Sequence, residues 1–145
     1  MVMLTRLLVP ISALLLGFWL IITVVAIDHG WAAEFPDVGN SNDVSGEWLT
    51  RGTLFTPPLA LMVAQAALTA LAYLKGRVWR VVAGAGLALV GCLYVVGGLG
   101  EPFDPAASDV NAGVSALLRV TGLVGALVLV AAGVATAVAA VRERS

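Results

Sequence analysis

The residues of this chain that are most able to form a chemical site are acidic, and they lie in two connections between long apolar stretches. The first connection, 28–53, holds Asp28, Glu34, Asp37, Asp43 and Glu47, and the second, 101–113, holds Glu101, Asp104 and Asp109. Carboxylates grouped in this way bind cations or the basic surface of a partner. These two connections are therefore the first place where we expect a site.

Cation binding is the most specific chemical function that the residues of the first connection suggest. Oxygen-bearing side chains stand at nearly alternate positions, at Asp37, Ser41, Asp43 and Ser45. A calcium loop of the EF-hand type also needs a Glu at its twelfth position, where this chain has Trp48. We therefore predict no metal ion and no other cofactor. An enzyme that uses a metal held in this loop remains an alternative.

We assign a role in binding a partner or ligand to seven residues in or beside the acidic connections: Glu34, Asp37, Asp43, Trp48, Glu101, Asp104 and Arg119. Val44, Trp48 and Leu49 recur at helical spacing after Asp43, which predicts a short interfacial helix that Asp43 or Ser45 caps. Within it, Trp48 would anchor the loop at the level of the lipid headgroups.

Arg119 follows several apolar residues at the start of the last predicted helix. A charge at that depth must pair, line a wet cavity or extend its side chain to the interface. Three interpretations stay open: an ion pair with a carboxylate such as Asp109 or Glu101, a contact with an anionic ligand or lipid phosphate, or a side chain that reaches the headgroups.

One polar stripe lies inside an apolar stretch. Gln65 and Thr69 are four residues apart and share one face of a helix. They either line a pore or form hydrogen bonds with a neighbouring helix.

The sequence lacks the residues that several classes of membrane protein and enzyme need for their function. The four uncharged stretches contain no Asp, Glu, Lys or His, so the intramembrane carboxylate of a proton-coupled transporter is missing. Cys92 is the single cysteine, which excludes a pair of redox-active thiols. There is no glycine-rich phosphate loop, and a net charge of -1 without a basic surface argues against a nucleic-acid partner. We expect no enzymatic activity.

The elements that position these residues are apolar segments in a chain that is 60% hydrophobic and has a mean hydropathy of +0.99. Its uncharged runs reach the ~20 residues that a helix needs to cross a bilayer. We predict an all-α polytopic membrane protein in which 1–145 form one four-helix bundle. The expected helices are about 7–27, 54–74, 81–100 and 114–141, with outer loops at 28–53 and 101–113 and an inner turn at 75–80.

Basic residues predict the orientation, because Lys and Arg are retained on the cytoplasmic side of short loops. Bases flank the first helix, the turn and the last helix, at Arg6, Lys75, Arg77, Arg80, Arg142 and Arg144. Both termini should be cytoplasmic, with the protein in the plasma membrane. A cleavable signal peptide is the alternative at the N-terminus, but the run 7–27 exceeds the usual length of a signal-peptide core.

The chain also resembles itself at an offset of 67 residues. Glu34 is matched by Glu101, Thr69 by Thr136, and Lys75 by Arg142. This offset predicts two tandem helical hairpins related by an axis along the membrane normal. The alternative is that alanine-rich helices of similar length produce such matches without a duplication.

Together these features predict a small non-enzymatic accessory protein whose acidic outer face meets a protein partner or ligand. Small residues four apart predict a close-contact ridge on every helix, at Ala13 with Gly17, Ala60 with Ala64, Ala66 with Ala70, Gly84 with Ala88 and Gly133 with Ala137. The expected partners are the lipid bilayer and either another membrane protein or another copy of the chain. The alternative is a homo-oligomeric channel or facilitator with a polar stripe at Gln65 and Thr69 and acids at its mouth.

Overall fold

The computed structural model describes residues 2–35, 37, 39–101 and 110–143, and side chains from residue 6 onward. The described residues form helices and contain no β-strand; the helices are α1 Val2–His29, α2 Val44–Glu47, α3 Leu59–Leu71, α4 Arg77–Gly100 and α5 Ala112–Arg142. Three of them, α1, α4 and α5, are long and apolar enough to cross a membrane. The chain is therefore a membrane-embedded all-helical protein.

The second predicted span is the element that differs from expectation. Instead of 54–74, α3 has only 13 residues, which is shorter than a complete crossing. Pro58, at φ -56° and ψ 146°, is the residue that precedes α3. A proline also disfavours the helical conformation of the residue before it, so Pro57 and Pro58 delay the start of the helix. At the other end α3 gives way to turns that lead to Gly76, whose φ is 127°.

The four longer helices pack as a ring in chain order. The helix α1 contacts α3 and α5, and α4 contacts the same two neighbours, with its most extensive interface against α5. Their shared core includes Leu15, Trp19, Met62, Leu87 and Leu129, all of which are buried. Neighbouring helices are thus consecutive along the chain, apart from the closure between α5 and α1.

The interface between α4 and α5 is a direct contact of backbones. A Cβ added to Gly84 would lie 2.7 Å from the carbonyl oxygen of Gly133, and one added to Gly133 would lie 2.6 Å from that of Gly84. Glycine at both positions lets the helices approach closely, as small residues do in membranes. The close contact predicted from Gly84, Ala88, Gly133 and Ala137 is confirmed. The one predicted from Ala13 and Gly17 is wrong at Gly17, where an added Cβ would meet no atom within 4 Å.

Basic residues close the end of the bundle that carries the α3–α4 turn and the end of α5, which we call the turn end. The guanidinium of Arg77 donates from Nε to the carbonyl oxygen of Ala140 at 2.5 Å and from Nη2 to that of Val141 at 3.0 Å. Arg80 forms a two-pronged ion pair with Glu143, which lowers the pKa of that carboxyl group. The positive charge of these side chains also lies beside the C-terminal end of α5, where it interacts favourably with the negative end of the helix dipole.

Candidate functional site

The opposite end of the bundle, where α1 and α4 finish and α3 and α5 begin, carries the acidic connections, and we call it the loop end. The first connection is folded onto this end. The amide of Leu54 donates to the carbonyl oxygen of Trp31 at 3.1 Å, and both side chains are buried with Ala26 in a second apolar cluster. The connection is therefore an ordered cover on the bundle.

A short helix is present as α2 with Asp43 as its N-cap, as predicted, but it ends at Glu47 and so does not include Trp48 or Leu49. The Asp43 carboxylate accepts a hydrogen bond from the amide of Gly46 at 3.3 Å, as capping requires. Trp48 does not extend outward, because its half-buried ring packs against the main core. Its carbonyl oxygen also accepts from the amide of Leu59 at 2.9 Å, which joins α2 to the start of α3.

Asp37 lies apart from α2 and forms an ion pair within this connection. Arg51 Nη2 lies 3.0 Å from Asp37 Oδ1 and also donates to the Asp37 carbonyl oxygen. The Asp37 side chain is still 74% exposed. Glu47 Oε2 accepts from the amide of Asn40 at 2.9 Å, so two side chains fix the path of the loop while the Asp37 and Asp43 side chains stay exposed.

Glu34, Glu101 and Arg119 are brought together where the two connections meet. The Glu34 amide donates to Glu101 Oε2 at 2.8 Å, and the Phe35 amide also bonds to this carboxylate. The Phe35 ring lies over Gly100, where an added Cβ would be 2.6 Å from Phe35 Cγ. Burial raises the pKa of Glu101 from about 4.5 to about 7, although the two amides and Arg119 oppose the shift.

Arg119 lies inside the protein, with only 5% of its surface exposed. Its guanidinium donates to the backbone carbonyl oxygen of Glu101 and interacts electrostatically with the Glu101 and Glu34 carboxylates. This placement supports the pairing interpretation of Arg119. Asp104, the remaining predicted site residue, lies outside the described residues.

The raised pKa of Glu101 predicts a stability that falls as the pH rises. The protonated carboxyl favours the folded state, so its contribution is complete below about pH 4.5 and is lost as the pH rises through about 7. Glu101→Gln should flatten this dependence, since an amide oxygen still accepts from Glu34 without titrating. Thermal unfolding of both proteins in one detergent between pH 4.5 and 8 measures the difference. Equal slopes for the two proteins would contradict the assignment.

Gln65 connects three helices below this end. Its amide nitrogen donates to the Ser12 carbonyl oxygen at 3.1 Å and to Ser12 Oγ at 3.0 Å, and its Oε1 accepts from the Tyr94 hydroxyl at 2.6 Å. Thr69 Oγ1 lies 2.6 Å from Ser12 Oγ. Gln65 is fully buried. Both residues of the polar stripe therefore lie in contacts between helices.

A cavity of about 340 Å³ lies between the covering connection and the helix ends. Most of its walls are apolar, and the polar groups include Arg51, Glu101 and Arg119. Trp19 lines it at 5% exposure, and its indole nitrogen has no hydrogen-bond partner among the described residues. Gly122 makes room for this ring, since an added Cβ would be 2.5 Å from Trp19 Cη2.

Trp19 and Tyr94 are two residues beside this cavity that were not among the residues predicted to form a site. Trp19 stands in the middle of the run 7–27 rather than at its edge, and this position was a signal for an interior ring. Tyr94 contacts it edge-on, with ring centroids 5.7 Å apart.

In the part of the chain that the structure describes, no three His, Cys, Asp or Glu side chains are grouped so that they could hold a metal ion. None of the protein-family models, curated proteins and solved structures compared with this chain matches it.

Proposed function

We propose that this chain is a four-crossing protein of the plasma membrane that acts as a small non-enzymatic accessory subunit. In this proposal both termini are cytoplasmic, and the loop end presents an acidic outer face to a partner protein or ligand.

In this proposal the fourth crossing is formed by α3 and the residues that flank it. As a helix of 13 residues, α3 covers about 20 Å. The irregular residues 54–58 precede it and include a turn in which Thr53 and Thr56 exchange backbone hydrogen bonds of 3.0 and 3.3 Å. A helix shorter than the hydrocarbon thickness is accommodated by local thinning of the bilayer and by its flanking residues. Non-helical backbone is tolerated at membrane depth where protein buries it, and Leu54 and Thr56 are buried. The Thr56 hydroxyl is also bonded to Thr23 of α1 at 3.0 Å. The segment 54–74 can therefore cross the bilayer as α3 with a buried irregular extension.

The distribution of charge supports the proposed orientation. Exposed acids such as Asp28, Asp37 and Asp43 lie at the loop end, whereas Lys75, Arg80 and Arg142 lie exposed or partly exposed at the turn end. The turn end is then cytoplasmic by the positive-inside rule.

The observation that carries the accessory role is the preorganisation of the acidic face. Asp37 is held by Arg51, Glu47 by the Asn40 amide, and the loop around Glu34 by Glu101. A surface whose loops are already ordered loses less entropy when a partner binds. Because the Asp37 and Asp43 carboxylates stay exposed, this face suits a partner with a basic surface.

The test is isolation of the full chain from its native host in a mild detergent, followed by native mass measurement. We expect a stoichiometric complex with a second membrane protein. The double variant Asp28→Asn/Asp37→Asn should weaken this complex and its dependence on salt, because it removes exposed charge. Glu143→Gln, at the turn end, is the matched control and should leave the complex intact. A chain that isolates as a single copy, with the same result for both variants, would contradict the role.

The homo-oligomeric channel is the alternative. It receives less support, because the polar groups of Gln65 and Thr69 are occupied within one copy of the chain. It predicts ion flux in liposomes that Gln65→Leu or Arg119→Leu alters. Flux that neither substitution changes would contradict it.

A further inference from the structure

The cavity at the loop end has the size and lining of a site for a small lipophilic molecule. Its volume of about 340 Å³ lies within the range of ~300–1,000 Å³ typical of such sites. Apolar side chains that include Leu61, Val96 and Leu123 form most of its wall. A small number of polar groups in an otherwise apolar pocket is the usual means of orienting a ligand.

The polar groups of the wall have an excess of donors. Arg51 Nε and Trp19 Nε1 are buried atoms that have no hydrogen-bond partner among the described residues. The Glu101 carboxylate is already engaged by the amides of Glu34 and Phe35. Two cationic side chains, Arg51 and Arg119, also line the cavity. A buried donor without a partner is unfavourable, so this wall favours a ligand that brings hydrogen-bond acceptors.

The apolar part of the cavity adjoins the surface that faces lipid. Leu93 and Val96 line it and are 44% and 62% exposed on α4. Gly97, between them and the α4 terminus, keeps the space open, since a Cβ added there would meet no atom within 4 Å. A hydrocarbon chain can therefore enter from the bilayer beside α4.

We propose that this cavity binds a single-chain anionic amphiphile, with its carboxylate or phosphate head beside Arg51 and its hydrocarbon chain against Gly97 and Leu123. A charged acceptor suits guanidinium donors, and hydrogen bonds of this kind are about twice as strong as neutral ones. The proposal goes beyond the accessory role and does not depend on it, because the cavity lies beneath the acidic face. A chain without a protein partner could still bind this ligand.

The experiment uses the full chain in phosphatidylcholine nanodiscs and a fatty acid with bromine on its chain, which quenches nearby tryptophan. We expect a saturable quenching component that is lost in Trp19→Phe, because Trp19 lines the cavity. Gly97→Leu should fill the cavity and weaken this component about tenfold or more. Gly17→Leu is the matched control, since Gly17 also has no atom within 4 Å of an added Cβ but does not line the cavity.

Gly97→Ala is a second, smaller substitution for the case in which Gly97→Leu does not fold. Size-exclusion chromatography, in which each variant should elute as a single species, tests whether both are folded. Gly97→Ala fills less space and should weaken binding by an intermediate factor. Saturable quenching that survives both Gly97 substitutions, or that is equally lost in Gly17→Leu, would overturn the proposal.

The head group is tested with three ligands of equal chain length. A fatty acid and a lysophosphatidic acid should both compete with the brominated probe, and the tighter of the two identifies the head as carboxylate or phosphate. The fatty alcohol should compete about tenfold less well, as expected for loss of a charge-assisted hydrogen bond. Arg51→Gln should reduce this preference. Equal competition by the alcohol would overturn the anionic assignment.

Discussion

Gly84→Ala is expected to destabilise the bundle by about 1–3 kcal/mol, the usual cost of placing extra atoms in a packed interior. The added methyl group would lie 2.7 Å from the Gly133 carbonyl oxygen and 2.8 Å from the Ala137 nitrogen. Both are backbone atoms, so no side chain can rotate away to relieve the contact. The helices α4 and α5 would have to separate along the most extensive interface of the protein.

Gly17→Ala is the matched control for this substitution. Gly17 lies 67 residues before Gly84, also in the middle of a long apolar helix, but a Cβ there meets no atom within 4 Å. The two variants and the parent chain are compared by unfolding with increasing dodecyl sulfate in mixed micelles. We expect a lower midpoint for Gly84→Ala alone. A shared midpoint for all three proteins would show that α4 and α5 are not in backbone contact.

Gln65→Met is expected to have the second large effect. Methionine has a similar length but cannot bond to Ser12 or Tyr94, so contacts among α1, α3 and α4 are lost together. Hydrogen bonds between membrane helices contribute about 0.6–2 kcal/mol each, and the cost here should lie at or above the upper part of that range. The same dodecyl sulfate titration measures it.

A pair of threonine variants isolates the bond between helices. Thr69 and Thr136 each donate to the carbonyl oxygen four residues earlier, at 2.7 and 2.8 Å. Thr69 also bonds to Ser12 of another helix. Thr69→Val should therefore destabilise the bundle more than Thr136→Val. Equal losses in the two variants would contradict an interhelical role for the polar stripe.

The hydropathy pattern predicted the long helices well because a membrane span is a local property. Arg77 and Glu101 lie at the two ends of α4, and Arg142 lies at the end of α5. Asp43 marks the start of α2, since a cap acts on neighbouring amides. The error fell on 54–74, where apolar composition concealed the effect of Pro57 and Pro58. Hydropathy does not distinguish a buried irregular segment from a helix. Residues 54–58 form the irregular segment, and Leu54 is buried in it by contacts with distant parts of the chain.

The candidate site was predictable only in part. The acidic loops and the depth of Arg119 along the last helix follow from local sequence, but the sequence left three interpretations of the Arg119 side chain open. The contact of the Glu34 amide with Glu101, the inward turn of Trp48 and the cavity beside Trp19 depend on distant segments meeting in the folded protein. A single sequence carries no direct signal for such pairs, so these features required the structure.

The internal repeat remains a prediction. Glu34 and Glu101, equivalent at the offset of 67, lie in contact at the loop end, as residues near a two-fold axis would. The ring order of the helices also agrees with such an axis. However, Gly84 forms a close helix contact that its counterpart Gly17 lacks, and α3 has 13 residues where α5 has 31. If a duplication occurred, the two hairpins have since diverged in packing.

The most direct test of the account is the sidedness of the two residues that flank α3. In a Cys92→Ala background, Thr50→Cys and Lys75→Cys place single thiols at exposed positions before and after this helix. A membrane-impermeant thiol reagent applied to intact cells should label position 50, and should label position 75 only after permeabilisation. Labelling of both positions from one side would show that α3 does not cross the membrane. That result would contradict the four-crossing account and the outer acidic face that depends on it.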